Sequence, residues 1–194
     1  DRLWLWTNAN EWQEAAWLLR AHESPADKNA LQRALTQLKV VWVPSEQVTL
    51  LSRFVPGKRR SEWFNALPYA LEESLAEAVE NLHFVALNRS AEGEVAAAVV
   101  TRARMQLWVE QLEQAGLAHA MLVADCFRVP PAKRVEAEDS AADETHQAWS
   151  VCKVAPDRLL VRSAEYLGFA ASPDWFAQLQ QLQAQQGAEP VIQW

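Results

Sequence analysis

The most reactive pair of side chains in this sequence is Asp125-Cys126, an acid followed directly by a thiol. The pair follows the apolar segment 117–124, which predicts a strand, and the carboxyl ends of parallel strands commonly carry functional groups. A thiol nucleophile also needs a base beside it, and the pair has no adjacent one. An acid–thiol enzyme is therefore one hypothesis, and a capping or turn-forming Asp125 is the interpretation that the pattern favours.

The spacing of histidines and glycines disfavours a metal-binding site and a nucleotide-binding site. The histidines, at positions 22, 83, 119 and 146, are scattered and form no HxxxH, HExxH or Cys-plus-His cluster, so we predict no metal site. The five glycines, at positions 57, 93, 116, 168 and 187, never lie within ten residues of one another. No GxGxxG or GxxxxGK[ST] phosphate loop can be built from them, and we predict no cofactor, although such a loop could precede Asp1 in a longer protein.

A helical period predicts one helix from Ser61 to Leu82. Pro68 lies inside this stretch, so the helix either kinks there or begins there. The stripe on its apolar face comprises Phe64, Leu67, Leu71, Leu75, Val79 and Leu82.

Two groups of charged residues are the candidate partner-binding residues. Glu73, Glu77 and Glu80 fall at positions i, i+4 and i+7 of the predicted helix, which places them on one polar face. Just upstream, a turn carries three successive positive charges, Lys58, Arg59 and Arg60. A basic partner that docks on the acidic face would relieve the repulsion between its carboxylates. The alternative is that both groups are simply solvated.

The remaining pattern indicates a mixed α/β fold, because strands alternate with helices along the chain. Segment 11–20 is ambiguous, since its apolar residues have helical spacing over a short length. The predicted strands are 2–6, 40–43, 48–55 and a central strand 117–124; the hairpins are 83–87 with 95–100 and 148–154 with 159–163; the helices are 25–38, 104–115 and 173–186.

The composition limits the classes of protein to which this chain can belong. The chain has 194 residues, 50% of them hydrophobic, which is typical of a folded globular protein. A formal net charge of −7 disfavours nucleic-acid binding through a uniformly basic surface. No apolar run is long enough to cross a bilayer, and two cysteines make no disulfide framework. Because it begins with Asp1 at the start of a predicted strand, we expect the chain to be part of a longer protein.

The most specific string in the chain is ALPYALEESLAEAVENLHF, residues 66–84. It resembles the LPYxLEExLAxDVExxHF signature of the cytoplasmic half of the L component of the bacterial type II secretion system. The segments 41–56 and 108–125, with Pro130 after the second, are similar to the strand pair and the helix-strand unit that flank this signature. The resemblance covers about residues 41–130. One departure is Ala78, which stands where the family usually has aspartate.

The resemblance implies a fold similar to actin-like ATPases, with ribonuclease H-like lobes, mixed sheets and a degenerate nucleotide site. It implies a first lobe over 1–101, including a helix-strand subdomain at 61–88, and a second lobe over 102–194. It also implies that segment 11–20 is a strand. From the resemblance we also expect the transmembrane and periplasmic parts of the family to lie outside this chain.

The same resemblance implies a non-catalytic adaptor at the cytoplasmic face of the bacterial inner membrane. Its expected partners are the N-terminal domain of the secretion ATPase (component E), the membrane components M and F, and a second copy of itself. Anchoring would use a transmembrane helix outside this chain, and no nucleic-acid partner is expected. The alternative is an actin-like assembly ATPase that binds nucleotide, related to pilus-assembly proteins.

Overall fold

The computed structural model describes residues 40–132, 148–186 and 190–194. The predicted elements 2–6, 11–20 and 25–38, and the acidic residues between 136 and 144, lie outside these ranges. The strands are β1 (Val40–Val43), β2 (Thr49–Phe54), β3 (Leu82–Arg89), β4 (Glu94–Thr101), β5 (Met121–Ala124), β6 (Ala148–Ala155), β7 (Arg158–Ala164), β8 (Leu167–Ala171) and β9 (Val191–Gln193). The helices are α1 (Arg60–Leu71), α2 (Arg102–Gln114) and α3 (Pro173–Gln185).

Within these residues the strands form three sheets, which confirms a mixed α/β fold. One sheet is antiparallel, in the order β2-β4-β3, and a second has the order β8-β7-β6-β9 with β6 and β9 parallel. The third is the parallel pair β1-β5. Both predicted hairpins, β3-β4 and β6-β7, are confirmed. The β1-β5 pairing crosses the boundary predicted between residues 101 and 102, and the division into lobes there stays a prediction.

Helix α1 packs on the sheet β2-β4-β3. Its Leu67 and Leu71 are fully buried, together with Val95 and Ala97 of β4. Most of the predicted apolar stripe lies in this core, although Phe64 is 42% exposed. The periodicity therefore identified most of the buried residues of this region, with Phe64 as the exception.

The predicted helix over 61–82 is wrong beyond Leu71. The chain continues through two 3₁₀ turns, Glu72–Ser74 and Val79–Asn81, with extended backbone at Leu75 and Ala78. Pro68 lacks the N–H that would bond to the preceding turn, which weakens the helix close to its end. Val79 is buried by this path and Leu75 is packed against the same core, so tertiary packing overrides the helix propensity of the Ala and Glu residues.

Helix α3 begins as predicted, whereas α2 begins at Arg102, two residues before the predicted Arg104. Ser172 caps α3 by accepting a hydrogen bond from the Trp175 N–H, with Pro173 in the first turn. Thr101 caps α2 in the same way, accepting from the Arg104 N–H. Gly116, at φ 70°, ends α2 in the left-handed conformation that glycine adopts without strain.

The predicted central strand 117–124 is shorter than expected. Only Met121–Ala124 is a strand, and Met121 is 60% exposed, so the segment is not covered on both sides throughout. Leu117 instead folds back after α2, where its N–H donates to the Leu112 carbonyl, and packs with Val41. An apolar run alone does not separate a strand from a buried turn.

The sheet β8-β7-β6-β9 buries its core against α3. Trp149 of β6 and Phe176 of α3 are buried together, and the rings of Trp149 and Phe169 meet edge to face at 5.7 Å. Strands β8 and β9 were not predicted. Both are short, and β9 is only three residues long, so neither shows a clear alternation.

Leu67→Ala should lower the free energy of unfolding by about 2–5 kcal/mol, because it opens a cavity in a fully buried core. Tyr69→Ala on the same helix is the matched control, since Tyr69 is 69% exposed and its loss should cost about 0.5 kcal/mol or less. Urea unfolding of the three proteins measures both values. Equal losses for the two variants would contradict the packing of α1.

Candidate functional site

The site predicted at Asp125-Cys126 is part of a polar network at the ends of two parallel strands. Val43 of β1 pairs with Ala124 of β5, so the residues that follow these strands emerge at the same edge. Ser45 follows β1 after Pro44, and Asp125 follows β5 directly. Chain topology thus brings together residues that are 80 positions apart.

Asp125 is the centre of this network and is 1% exposed. Its Oδ1 accepts hydrogen bonds from the Ser45 backbone N–H at 3.0 Å and from the Ser45 hydroxyl at 2.7 Å. The Ser45 hydroxyl oxygen in turn accepts from the Cys126 N–H at 2.9 Å. These bonds lock the loop after β1 to the 3₁₀ turn Asp125–Arg128 after β5.

Arg158 neutralises the buried carboxylate and comes from a different sheet. It is the first residue of β7, and its Nη2 donates to Asp125 Oδ2 at 2.7 Å. The same guanidinium binds Glu46, with Nε donating to Oε1 at 2.5 Å and Nη2 to Oε2 at 2.8 Å. Two carboxylates from the ends of β1 and β5 therefore converge on one arginine of the β6-β7 hairpin.

The electrostatics follow from this geometry. The hydrogen bonds that Arg158 donates to Glu46 and Asp125 outweigh the effect of burial and raise the pKa of Arg158 above its already high value, so it stays charged. Partial burial opposes ionisation of Glu46, yet the hydrogen bonds from Arg158 leave the pKa of this carboxyl below its usual value. The network therefore places one guanidinium between two carboxyl groups.

Cys126 is fully buried beneath this network. Burial raises the pKa of its thiol, although Ser45 opposes the shift. A buried neutral thiol is a poor nucleophile, and the acid next to it is already bound to Ser45 and Arg158. The geometry therefore favours the turn-forming interpretation of Asp125 over the acid–thiol enzyme.

A second arginine of β7, Arg162, is buried, binds the β7–β8 turn and contacts the 3₁₀ turn Asp125–Arg128 through Phe127. Its Nε donates to the Ala164 carbonyl at 2.8 Å, and its Nη2 donates to the Glu165 carbonyl. The guanidinium lies 4.2 Å from the centre of the Phe127 ring. Burial lowers the pKa of Arg162.

The predicted partner-binding residues are all exposed or partly exposed and lie outside this network. Glu73 lies in the first 3₁₀ turn after α1, Glu80 in the second, and Glu77 between them. The prediction that the three share one helix face is wrong, because α1 ends before any of them. They still follow one another along the same exposed connection between α1 and β3.

The basic residues lie at the other end of α1. Arg59 is the N-cap residue and Arg60 the first helical residue. Glu62 accepts hydrogen bonds from the Lys58 and Arg59 backbone N–H groups, at 3.1 and 3.2 Å, and fixes this turn. The helix therefore carries basic residues at its start and is followed by acidic ones.

Sequence reasoning missed Ser45, Glu46 and Arg158. A signal was available for the first two, because Pro44-Ser45-Glu46 ends a strand just as Asp125-Cys126 does. Arg158 follows the predicted hairpin turn, but nothing in the sequence indicates which acid it contacts. Among the described residues, no three His, Cys, Asp or Glu side chains are grouped as metal ligands.

Comparison with known proteins identifies the family. The family model for type II secretion system protein L matches residues 11–192. The chain belongs to the type II secretion system protein L family. Membership supports a role in the secretion machinery, and the resemblance found at residues 66–84 is confirmed.

Individual relatives agree. The type II secretion system protein L of Dickeya chrysanthemi is 30% identical over 139 residues, covering 72% of this chain and 31% of that protein. The protein L of Vibrio cholerae is 27% identical over 164 residues, covering 84% of this chain and 37% of that protein. The chain therefore spans about a third of the length of these relatives.

A solved structure matches the fold. The cytoplasmic domain of EpsL, an inner membrane component of the type II secretion system of Vibrio cholerae, aligns with a TM-score of 0.61 at 21% identity. The alignment covers 80% of this chain and 59% of that one. Among the residues that our structure describes, no helix has the length and hydropathy needed to cross a membrane.

Arg158→Met should lower the free energy of unfolding by about 3 kcal/mol, because it leaves the buried Asp125 carboxyl without the cation that it contacts. Arg59→Met is the control: its side chain is 85% exposed, so its loss should cost about 0.5 kcal/mol or less. Adding Asp125→Asn to Arg158→Met should recover part of the loss. Urea unfolding measures all four proteins, and an Arg158→Met variant as stable as the control would contradict this role.

The Glu46–Arg158 pair should give a pH dependence with a defined sign. The folded-state pKa of Glu46 is lowered, so its contribution to stability is complete above the unfolded-state pKa and is lost as pH falls through the folded value. Glu46→Gln should cost about 0.5–1 kcal/mol at neutral pH, and this difference should shrink below pH 4.5. Urea unfolding at a series of pH values tests this. If the loss of unfolding free energy in Glu46→Gln grows as pH falls, the result would contradict the Glu46–Arg158 pair.

Proposed function

We propose that this chain is a non-catalytic adaptor of the type II secretion machinery that recruits the cytoplasmic secretion ATPase to the inner-membrane platform. The observation that supports the proposal best is the exposed charge on the unit of α1 and the sheet β2-β4-β3. Arg59 and Arg60 lie at one end of α1, and Glu73, Glu77 and Glu80 follow its other end.

Such a surface suits recognition of another protein. Charged groups around an interface steer association and set its orientation, while a few apolar side chains supply most of the affinity. Tyr69 is 69% and Phe64 42% exposed on α1, between the two charged groups in the chain. We propose the N-terminal domain of the secretion ATPase as the partner, with the acidic residues contacting basic groups on it.

The same proposal includes the location of the chain, its neighbouring components, the fold of its lobes and its self-association. The chain is placed at the cytoplasmic face of the bacterial inner membrane, held there by a helix outside it, next to components M and F. Its lobes are proposed to be actin-like with a degenerate nucleotide site, and it is proposed to self-associate. The location is supported by the likeness to the Vibrio cholerae structure, which is a cytoplasmic domain of an inner membrane component.

Reversing three charges with Glu73→Lys, Glu77→Lys and Glu80→Lys should weaken binding of the ATPase N-terminal domain by about tenfold, or about 1.4 kcal/mol. The loss should be smaller at high salt, because exposed charges are screened. Isothermal titration calorimetry at two salt concentrations measures both effects.

The matched control is Glu110→Lys with Glu113→Lys, which reverses exposed charges on α2, away from α1. It should leave the affinity within about twofold. Unchanged affinity in a folded triple variant would contradict the acidic surface. Absence of any complex with the unaltered chain would contradict the proposed partner.

A further inference from the structure

Arg89, the last residue of β3, holds the turn that carries the basic residues 58–60. Its Nη2 donates to the Gly57 carbonyl at 2.7 Å and to the Val55 carbonyl at 3.3 Å. The guanidinium also lies 5.4 Å from the centre of the Trp63 ring in α1. One side chain of the sheet therefore fixes both the turn and the first part of the helix that follows it.

The turn lies so close to α1 that its path is fixed. Gly57 has a φ of 123°, and a Cβ atom at this position would lie 2.8 Å from the Trp63 backbone nitrogen. Glu62 holds the other side of the turn by accepting hydrogen bonds from the first two backbone N–H groups of residues 58–60. Because Arg89 binds its carbonyls and Glu62 binds its amides, the turn presents its basic side chains in one fixed direction.

Stability alone does not account for the charges in this region. Arg89 Nε is buried and has no hydrogen-bond partner among the described residues, and an unpaired buried donor is unfavourable. No described acid forms an ion pair with Arg89. Residues 58–60 precede or begin α1, where the helix dipole disfavours positive charge. A turn that is held firmly while its charges oppose stability is expected at a binding surface.

The charges of the turn select an acidic group as its occupant. The one ion pair described for residues 58–60 joins Arg59 to Glu62 at 4.0 Å, and the Arg59 side chain is still 85% exposed. Helix α1 has 12 residues and is therefore about 18 Å long, and the acidic connection to β3 follows its other end. A partner that contacts both ends therefore carries an acidic and a basic group about 18 Å apart, so that each faces the opposite charge.

We infer that Arg89 is a positioning residue of the docking surface, which directs the basic turn of residues 58–60 toward an acidic group on the N-terminal domain of the secretion ATPase. The inference rests on the proposed function and deepens it, because it adds a second contact of opposite charge to the acidic one. Arg89 acts through the turn and does not itself contact the partner.

A double-mutant cycle on the binding affinity tests this role. The triple variant Lys58→Ala, Arg59→Ala and Arg60→Ala should bind the ATPase N-terminal domain about tenfold more weakly, and Arg89→Met alone about fivefold more weakly. If Arg89 acts through the turn, adding Arg89→Met to the triple variant should change the affinity by less than about twofold. Isothermal titration calorimetry of the four proteins measures this coupling. Equal losses in both backgrounds would show an effect independent of the turn and would overturn the inference.

The matched control is Arg102→Met, which removes the same charge from an exposed position at the start of α2. It should leave the affinity within about twofold. A loss as large as that of Arg89→Met would show that net charge, and not the direction of the turn, determines binding, and would also overturn the inference.

Hydrogen exchange on the unaltered chain gives a second readout that does not require a variant to fold. The backbone amides of residues 58–63 should exchange more slowly in the complex with the ATPase N-terminal domain than in the free chain. A complex without this protection would overturn the inference and leave the proposed recruitment of the ATPase standing. Absence of any complex would contradict the proposed function itself and the inference with it.

Discussion

The buried carboxylate of Asp125 is the constraint on which the described fold depends. The parallel pair β1-β5 is only four residues long, too short to be held by its own ladder. Asp125 compensates by fixing the loop after β1 through Ser45 and the hairpin β6-β7 through Arg158. Through these two contacts, a single side chain connects the parallel pair to the four-stranded sheet.

Burying that charge is costly, and its surroundings show how the cost is met. A carboxylate removed from water needs hydrogen bonds and a counter-ion, and Asp125 has two donors from Ser45 and one from Arg158. Glu46 then binds the same guanidinium at its partly exposed end. The result resembles a catalytic cluster in composition, but its acids are already committed to one arginine and one serine.

Sequence patterns predicted the helix ends that depend on interactions between residues close together in the chain. Ser172-Pro173 and Gly116 act within one helical turn, and their helices begin and end as expected. The stripe containing Leu67, Leu71 and Val79 predicted burial but not conformation, because a 3₁₀ turn and a helix can both turn such residues toward one core. The site depends on contacts of Asp125 with Ser45 and with Arg158, which are 80 and 33 positions away in the sequence. No local pattern predicts contacts at such separations. The Arg158 contact could therefore not be predicted from sequence.

The charged side chains of the Asp125 network and those around α1 have different surroundings. The Asp125 network binds its polar groups to one another, and only Glu46 is substantially exposed. The α1 unit does the opposite, because basic residues precede its helix and acidic ones follow it, against the preference of the helix dipole. Ala78 is the cap position of the turn Val79–Asn81, and alanine has no side-chain acceptor for the backbone N–H groups that begin this turn. The exposed Glu73, Glu77 and Glu80 near this turn are the charged groups that we propose for recognition.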